Sequence, residues 1–174
     1  AQVVEDALPP EVAKVVLGGA EESAFLTSLP FQHICFTGGT GIGRKVMRAA
    51  ADNLASVTLE LGGKSPAIVD ASVHVGDAAK RLAWGKFLNS GQVCISPDYL
   101  LVEDAIADEL VHEFVTQTRS MYGASPEDQL SCVQRSRMVN DHHFKRVVGL
   151  IEDALAQGAR IVTGGTWDAS TKRI

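Results

Sequence analysis

The chain has 174 residues, 45% of them hydrophobic and 21% charged, with a net charge of −5. These are ordinary globular proportions, which excludes disorder, collagen-like repeats and coiled coil. The longest apolar runs, such as Ala67-Ile68-Val69, fall far short of the roughly 20 residues of a membrane span, and dispersed Lys and Arg leave no electrostatic footprint for nucleic acid. Residues 12–17 are a short β-branched run that predicts a first strand, closed by Gly18-Gly19. Residues 21–29 follow as a helix stopped by Pro30. Residues 33–37 form a second apolar strand, leading into Gly38-Gly39-Thr40-Gly41-Ile42-Gly43. From there Ile42, Val46, Ala50 and Leu54 recur every four residues, the mark of one apolar helix face. Residues 56–61 alternate Val57, Leu59 and Leu61 as a third strand, ended by Gly62-Gly63.

The later half repeats the rhythm. A strand is expected at 67–69, a helix at 75–89 and a strand at 99–102. Asp104 is placed to cap a helix carrying Ile106, Leu110, Phe114 and Thr118. Ser125-Pro126-Glu127-Asp128 reads as a loop. Phe144, Val148, Ile151 and Leu155 mark a last amphipathic helix, ended by Gly158 before a strand at 160–163. Parallel neighbours need crossover connections, so this alternation predicts an α/β fold, a Rossmann-like three-layer arrangement with helices on the faces of a parallel sheet. Three cysteines without paired spacing fit a reducing, cytoplasmic compartment. The chain opens on Ala1-Gln2 and closes on Lys172-Arg173-Ile174 without a capping signal. A slice of a longer polypeptide is the expectation.

The cluster from Gly38 to Gly43 follows a strand and opens a helix, where backbone N–H groups and the helix dipole can hold a phosphate. It is not the dinucleotide fingerprint G-x-G-x-x-G, because Arg44 or Val46 takes the last glycine place. A P-loop also fails, since Thr58 stands at its first glycine. A tight turn and a cofactor site both remain open. Among the thiols, Cys35 lies inside an apolar strand, where an inert buried thiol is expected, and Cys132 follows a polar loop. Cys94 differs, because Asn89-Ser90-Gly91-Gln92-Val93-Cys94-Ile95-Ser96-Pro97 is a turn-rich segment that could present a nucleophile. Glu60, between Leu59 and Leu61 in a covered strand, would be costly unless paired or used. No C-x-x-C or H-x-x-x-H spacing exists, and adjacent His142-His143 diverge on a helix, so no metal site is expected.

Three segments together resemble the aldehyde dehydrogenase superfamily. Leu59-Glu60-Leu61-Gly62-Gly63-Lys64-Ser65-Pro66 is similar to its catalytic-glutamate signature. Phe87-Leu88-Asn89-Ser90-Gly91-Gln92-Val93-Cys94 is similar to its catalytic-cysteine signature. Phe36-Thr37-Gly38-Gly39-Thr40-Gly41-Ile42-Gly43 resembles the upstream cofactor segment, with Gly39 where a serine is often found. The resemblance implies that 1–62 is the C-terminal part of an NAD(P)-binding domain and 63–174 the N-terminal part of a catalytic thiol domain. It implies NAD or NADP bound by Gly38, Gly39, Thr40, Gly41, Ile42, Gly43 and Leu61, and Cys94 and Glu60 as the catalytic pair. The first half of the dinucleotide fold, an oxyanion-holding asparagine and a ribose-binding glutamate would lie outside this chain, so the slice alone is expected to be inactive. Cys94-Ile95-Ser96-Pro97-Asp98-Tyr99 and His143-Phe144-Lys145-Arg146 look most like class three and coniferyl aldehyde dehydrogenases, which implies a medium-chain or aromatic aldehyde and a homo-oligomer, dimer or tetramer.

The chemistry so implied starts with a Cys94 thiolate attacking the aldehyde and ends with Glu60 activating water against a thioester. Alternatives are a semialdehyde or acylating relative, a cysteine hydrolase pairing Cys94 with His142 or His143, and a structural, lens-type role. Glu60 favours a hydrolytic finish over the acylating type, and the presence of both Cys94 and Glu60 argues against a structural role.

Overall fold

Alternating side chains make His33–Thr37 (β1) and Ser56–Glu60 (β2) two-faced strands: Ile34, Phe36, Val57 and Leu59 are half-buried while the residues between them are exposed. The computed structural model describes residues 1–174, and its α/β chain divides into two units, Ala1–Gly62 and Gly63–Ile174. No helix is long and apolar enough to cross a membrane.

In the first unit β1 and β2 pair in parallel, from His33 beside Ser56 to Thr37 beside Glu60. The crossover is helix α3, Thr40–Asp52, which buries Gly43, Val46 and Ala50. Helix α2, Ala20–Thr27, packs on α3, and the Asn53 amide donates back to the Ser28 carbonyl at 2.9 Å. A short helix α1, Gln2–Ala7, precedes them and buries nothing. Residues 12–17 are not the strand that their β-branched run suggested. Val12 and Ala13 donate to the Pro9 carbonyl as a turn, and Val12, Val16 and Leu17 are exposed, so no hydrogen-bonded partner strand selects the extended form. The outer face of the β pair is polar and open. His33 bridges the Ser56 and Thr58 hydroxyls there (2.7 and 3.2 Å), and Cys35 shares that face, so its thiol is exposed rather than buried.

In the second unit Ser65–Val69 (β3) and Pro97–Val102 (β4) pair in parallel, with a bulge that leaves Asp98 unmatched between Pro97 and Tyr99. The bulged carboxylate takes the Lys64 ammonium, which holds the Asp98 carboxyl below the ordinary range. Helices α4, Val75–Phe87, and α5, Asp104–Tyr122, pack against each other and the sheet. Ala79 and Ala83 are fully buried on α4, and these small side chains let α5 approach closely enough to bury Leu110. Glu103, not Asp104, holds the N-cap position of α5, and its carboxylate accepts from Ala71 N–H at 2.8 Å. The expected loop at Ser125–Asp128 is instead the start of helix α6, Pro126–Ser131. Ser125 Oγ accepts from Asp128 N–H, the Asp128 carboxylate accepts from Ser125 N–H, and Pro126 opens the first turn. Helix α7, Asp141–Ala156, buries Phe144 and is followed by left-handed Gly158. Residues 160–163 pair with no strand. Arg160, Ile161, Val162 and Thr163 line an apolar groove of about 620 Å³ against β4, α5 and α7 instead.

Candidate active site

The glycine turn lies at the carboxyl ends of β1 and β2, the edge at which open parallel sheets receive ligands. Gly38 N–H donates to the Glu60 carbonyl at 3.0 Å, which ties the turn to the end of β2. Gly39 occupies the N-cap of α3 with no side-chain cap, so the first helical N–H groups face outward. None of Gly38, Gly39, Gly41 and Gly43 has a positive φ. A Cβ at Gly38 would strike the Phe36 ring, and one at Gly43 would come within 2.9 Å of Leu61 Cδ2. At Gly39 and Gly41 a Cβ would meet nothing within 4 Å. Neither backbone strain nor packing demands glycine at those two places. Glycine there leaves the backbone accessible to a bound group. Thr40 and Ile42 flank it on exposed positions, and the Glu60 side chain is exposed on the polar face, not confined in a covered strand.

The second unit holds Cys94 by itself. Helix α4 stops at Phe87, short of the expected Asn89, because Asn89 and Ser90 adopt left-handed backbone (φ 50° and 53°), followed by Gly91 at φ 75°. Cys94 emerges from this turn with an exposed thiol. Its own N–H has no acceptor within the chain. Its carbonyl lies against Gly63, where a Cβ would be only 2.3 Å away, and accepts from Ser65 Oγ at 3.5 Å. Ser96, buried, closes the loop by donating through Oγ toward the Gly85 and Lys86 carbonyls at 3.3 Å.

The histidines do not join Cys94. His142 is exposed, and His143 Nδ1 accepts from Arg146 Nε at 3.3 Å. Cys132 is half-buried, near the guanidinium of Arg135, which lies over the Phe87 and Tyr122 rings. No group of three or more His, Cys, Asp or Glu side chains is placed to hold a metal. Gly63, Ser90 and Gln92 were not singled out from sequence. Their signal lies in contacts with residues distant in sequence, Cys94 for Gly63, Ser136 for Ser90, and Arg137 and Val139 for Gln92, which spacing does not reveal.

The chain matches the aldehyde dehydrogenase family over residues 1–173. It is 44% identical over 160 residues to a rat protein named aldehyde dehydrogenase, dimeric NADP-preferring, covering 92% of this chain and 34% of that one. It is 42% identical over 154 residues to a Pseudomonas aeruginosa protein named probable coniferyl aldehyde dehydrogenase, covering 88% of this chain and 32% of the relative. The structure of Staphylococcus aureus AldH in a substrate-bound state superposes with a TM-score of 0.87 at 35% identity, over 99% of this chain and 36% of that one. The chain therefore spans roughly a third of the length of these relatives. With parallel α/β units and a family match along nearly its whole length, this chain belongs to the aldehyde dehydrogenase family.

Proposed function

We propose that these residues carry the catalytic thiol, the general base and part of the cofactor cradle of an aldehyde dehydrogenase that oxidises an aldehyde to the carboxylic acid. The observation that carries this reading is the exposed Cys94 thiol, presented by a strained turn beside a backbone N–H with no acceptor of its own. A thiolate is a better nucleophile than a hydroxyl at neutral pH. Its attack on the carbonyl carbon forms a C–S bond and places negative charge on oxygen, where the free Cys94 N–H can donate to it. NAD or NADP, when bound, supplies the acceptor for the hydride that this carbon gives up. The product held on Cys94 is a thioester. Glu60 then takes a proton from water as the water oxygen attacks, and the Cys94 sulfur leaves as thiolate.

Gly38, Gly39, Thr40, Gly41, Ile42, Gly43 and Leu61 would hold the cofactor, and the open space at Gly39 and Gly41 fits a pyrophosphate approaching the N-terminus of α3. NAD or NADP use is supported by the rat relative's description as NADP-preferring, and a homo-oligomer by its description as dimeric. A medium-chain or aromatic aldehyde, coniferyl-aldehyde-like, is the substrate class, supported by the name of the Pseudomonas relative. In the whole protein, Cys94→Ala should abolish aldehyde oxidation while cofactor binding survives, whereas Cys35→Ala and Cys132→Ala should stay within several-fold of the parent. Substantial cofactor reduction by the Cys94 variant would sink the assignment.

A further inference from the structure

We propose that Gln92 is a positioning residue for Cys94, a buckle that fastens the thiol-bearing loop to the distant segment 136–139. This deepens the reading of Cys94 as nucleophile and rests on it. Gln92 stands two residues before the thiol, and its side-chain amide is fully committed. Nε2 donates to the carbonyls of Asn89 and Arg137, both at 3.0 Å, and Oε1 accepts from Val139 N–H at 3.1 Å. A neutral amide is the one common side chain of this length that offers two donors and an acceptor at once.

The need for a buckle is written in the backbone. Asn89, Ser90 and Gly91 run consecutively through positive φ. Left-handed non-glycine residues persist only where their surroundings over-determine them. Ser90 Oγ gives a second hook, donating to the Ser136 carbonyl at 2.8 Å, and the Asn89 amide donates to the Gln92 carbonyl at 3.2 Å. Cys94 itself has little else to hold it: the 3.5 Å bond from Ser65 Oγ and the packing of Gly63 against its carbonyl. The direction of the thiol is therefore inherited from the turn that Gln92 closes. Attack geometry should depend on Gln92, while deacylation, which draws its proton acceptor from Glu60, should not.

The test uses the whole protein with Gln92→Met, which keeps length without polarity, and Gln92→Glu, which keeps the acceptor for Val139 but turns a carboxylate toward two carbonyls. The single-turnover rate of cofactor reduction with a medium-chain aldehyde should fall about 10- to 100-fold in both, with cofactor affinity within about twofold, the scale expected of a misplaced reacting group. Relative to the unmodified protein at the same pH, Gln92→Glu should recover as the pH is lowered, because the protonated carboxyl regains one O–H donor. A merely structural glutamine predicts instead that cofactor affinity and thermal stability fall together with the rate. Single-turnover rates within twofold of the parent in both variants, or a Gln92→Glu deficit independent of pH, would overturn the proposal. If neither variant folds, hydrogen exchange of the Val139 amide in the unmodified protein decides: protection supports the buckle, and exchange at the rate of an open loop removes it. An unmodified protein that oxidises no aldehyde overturns the Cys94 reading and this inference together, whereas an active parent with unaffected variants overturns this inference alone.

Discussion

Gly41 and Gly63 are glycines for opposite reasons. Gly63 has no room for a side chain, since a Cβ there would lie 2.3 Å from the Cys94 carbonyl oxygen, a backbone atom that cannot swing aside. Gly41 has ample room, a negative φ and a place in the first turn of α3. Alanine at Gly41 should therefore raise helix stability, by up to about 1 kcal/mol on intrinsic propensity. If phosphate oxygens approach the backbone there, the same substitution should weaken NAD(P) binding. Thermal unfolding and cofactor titration of Gly41→Ala in the whole protein check both halves. A more stable variant with unchanged affinity would place the pyrophosphate elsewhere. Alanine at Gly63 should displace the Cys94 carbonyl and lower turnover about 10²-fold, a loss that steady-state kinetics would read.

At the scale of elements, the second unit depends on the α4–α5 contact. Leu110 is 1% exposed and packs against Val69, Val75 and Ala79. Leu110→Ala should cost about 2–5 kcal/mol, read as a lowered denaturation midpoint, because alanines on α4 have no longer side chains to fill the void. The same scale shows what sequence could and could not tell. Strands β1 and β2 and helix α7 are legible because their apolar residues repeat with the period of the element, whereas of the four residues expected on the apolar face of α3 only Val46 and Ala50 are buried, Ile42 being exposed and Leu54 lying past the helix end in left-handed backbone. Residues 12–17 and 160–163 have strand composition but no hydrogen-bonded neighbour, and composition does not report partners. The Ser125 capping box has the composition of a loop, because serine, proline and aspartate favour turns and helix starts alike. Cys94 and Glu60 could be singled out because each breaks a local pattern, a turn-rich run or an apolar alternation. Gln92 breaks none, and its role is visible only in partners 45 and 47 residues away.

For the molecule as a whole, the strands outrun their cover. Pro66, Ile68, Tyr99 and Leu101 are exposed on one face of the β3–β4 pair, with Ile68 78% and Leu101 53% accessible. A parallel strand apolar on both faces is built to be covered on both. The 174-residue polypeptide made alone should therefore self-associate, through this face and the unpaired strand edges. Sedimentation over a concentration series would show it, and a monodisperse monomer would mean that the face is protected in a way these exposures do not reveal.

The proposed mechanism divides the labour, with Cys94 forming the thioester and Glu60 resolving it. Glu60→Gln keeps the shape of the side chain but cannot accept a proton from water. Mixing that variant of the whole protein with aldehyde and cofactor, and following reduced cofactor together with the intact protein mass, tests the claim most directly. The expected result is a burst of reduced cofactor close to stoichiometric with sites, an acyl adduct on the peptide containing Cys94, and turnover slowed by about 10²–10⁴-fold, the usual worth of a general base. Normal turnover without an adduct would contradict it, and loss of the burst with cofactor binding intact would move Glu60 to the activation of the thiol.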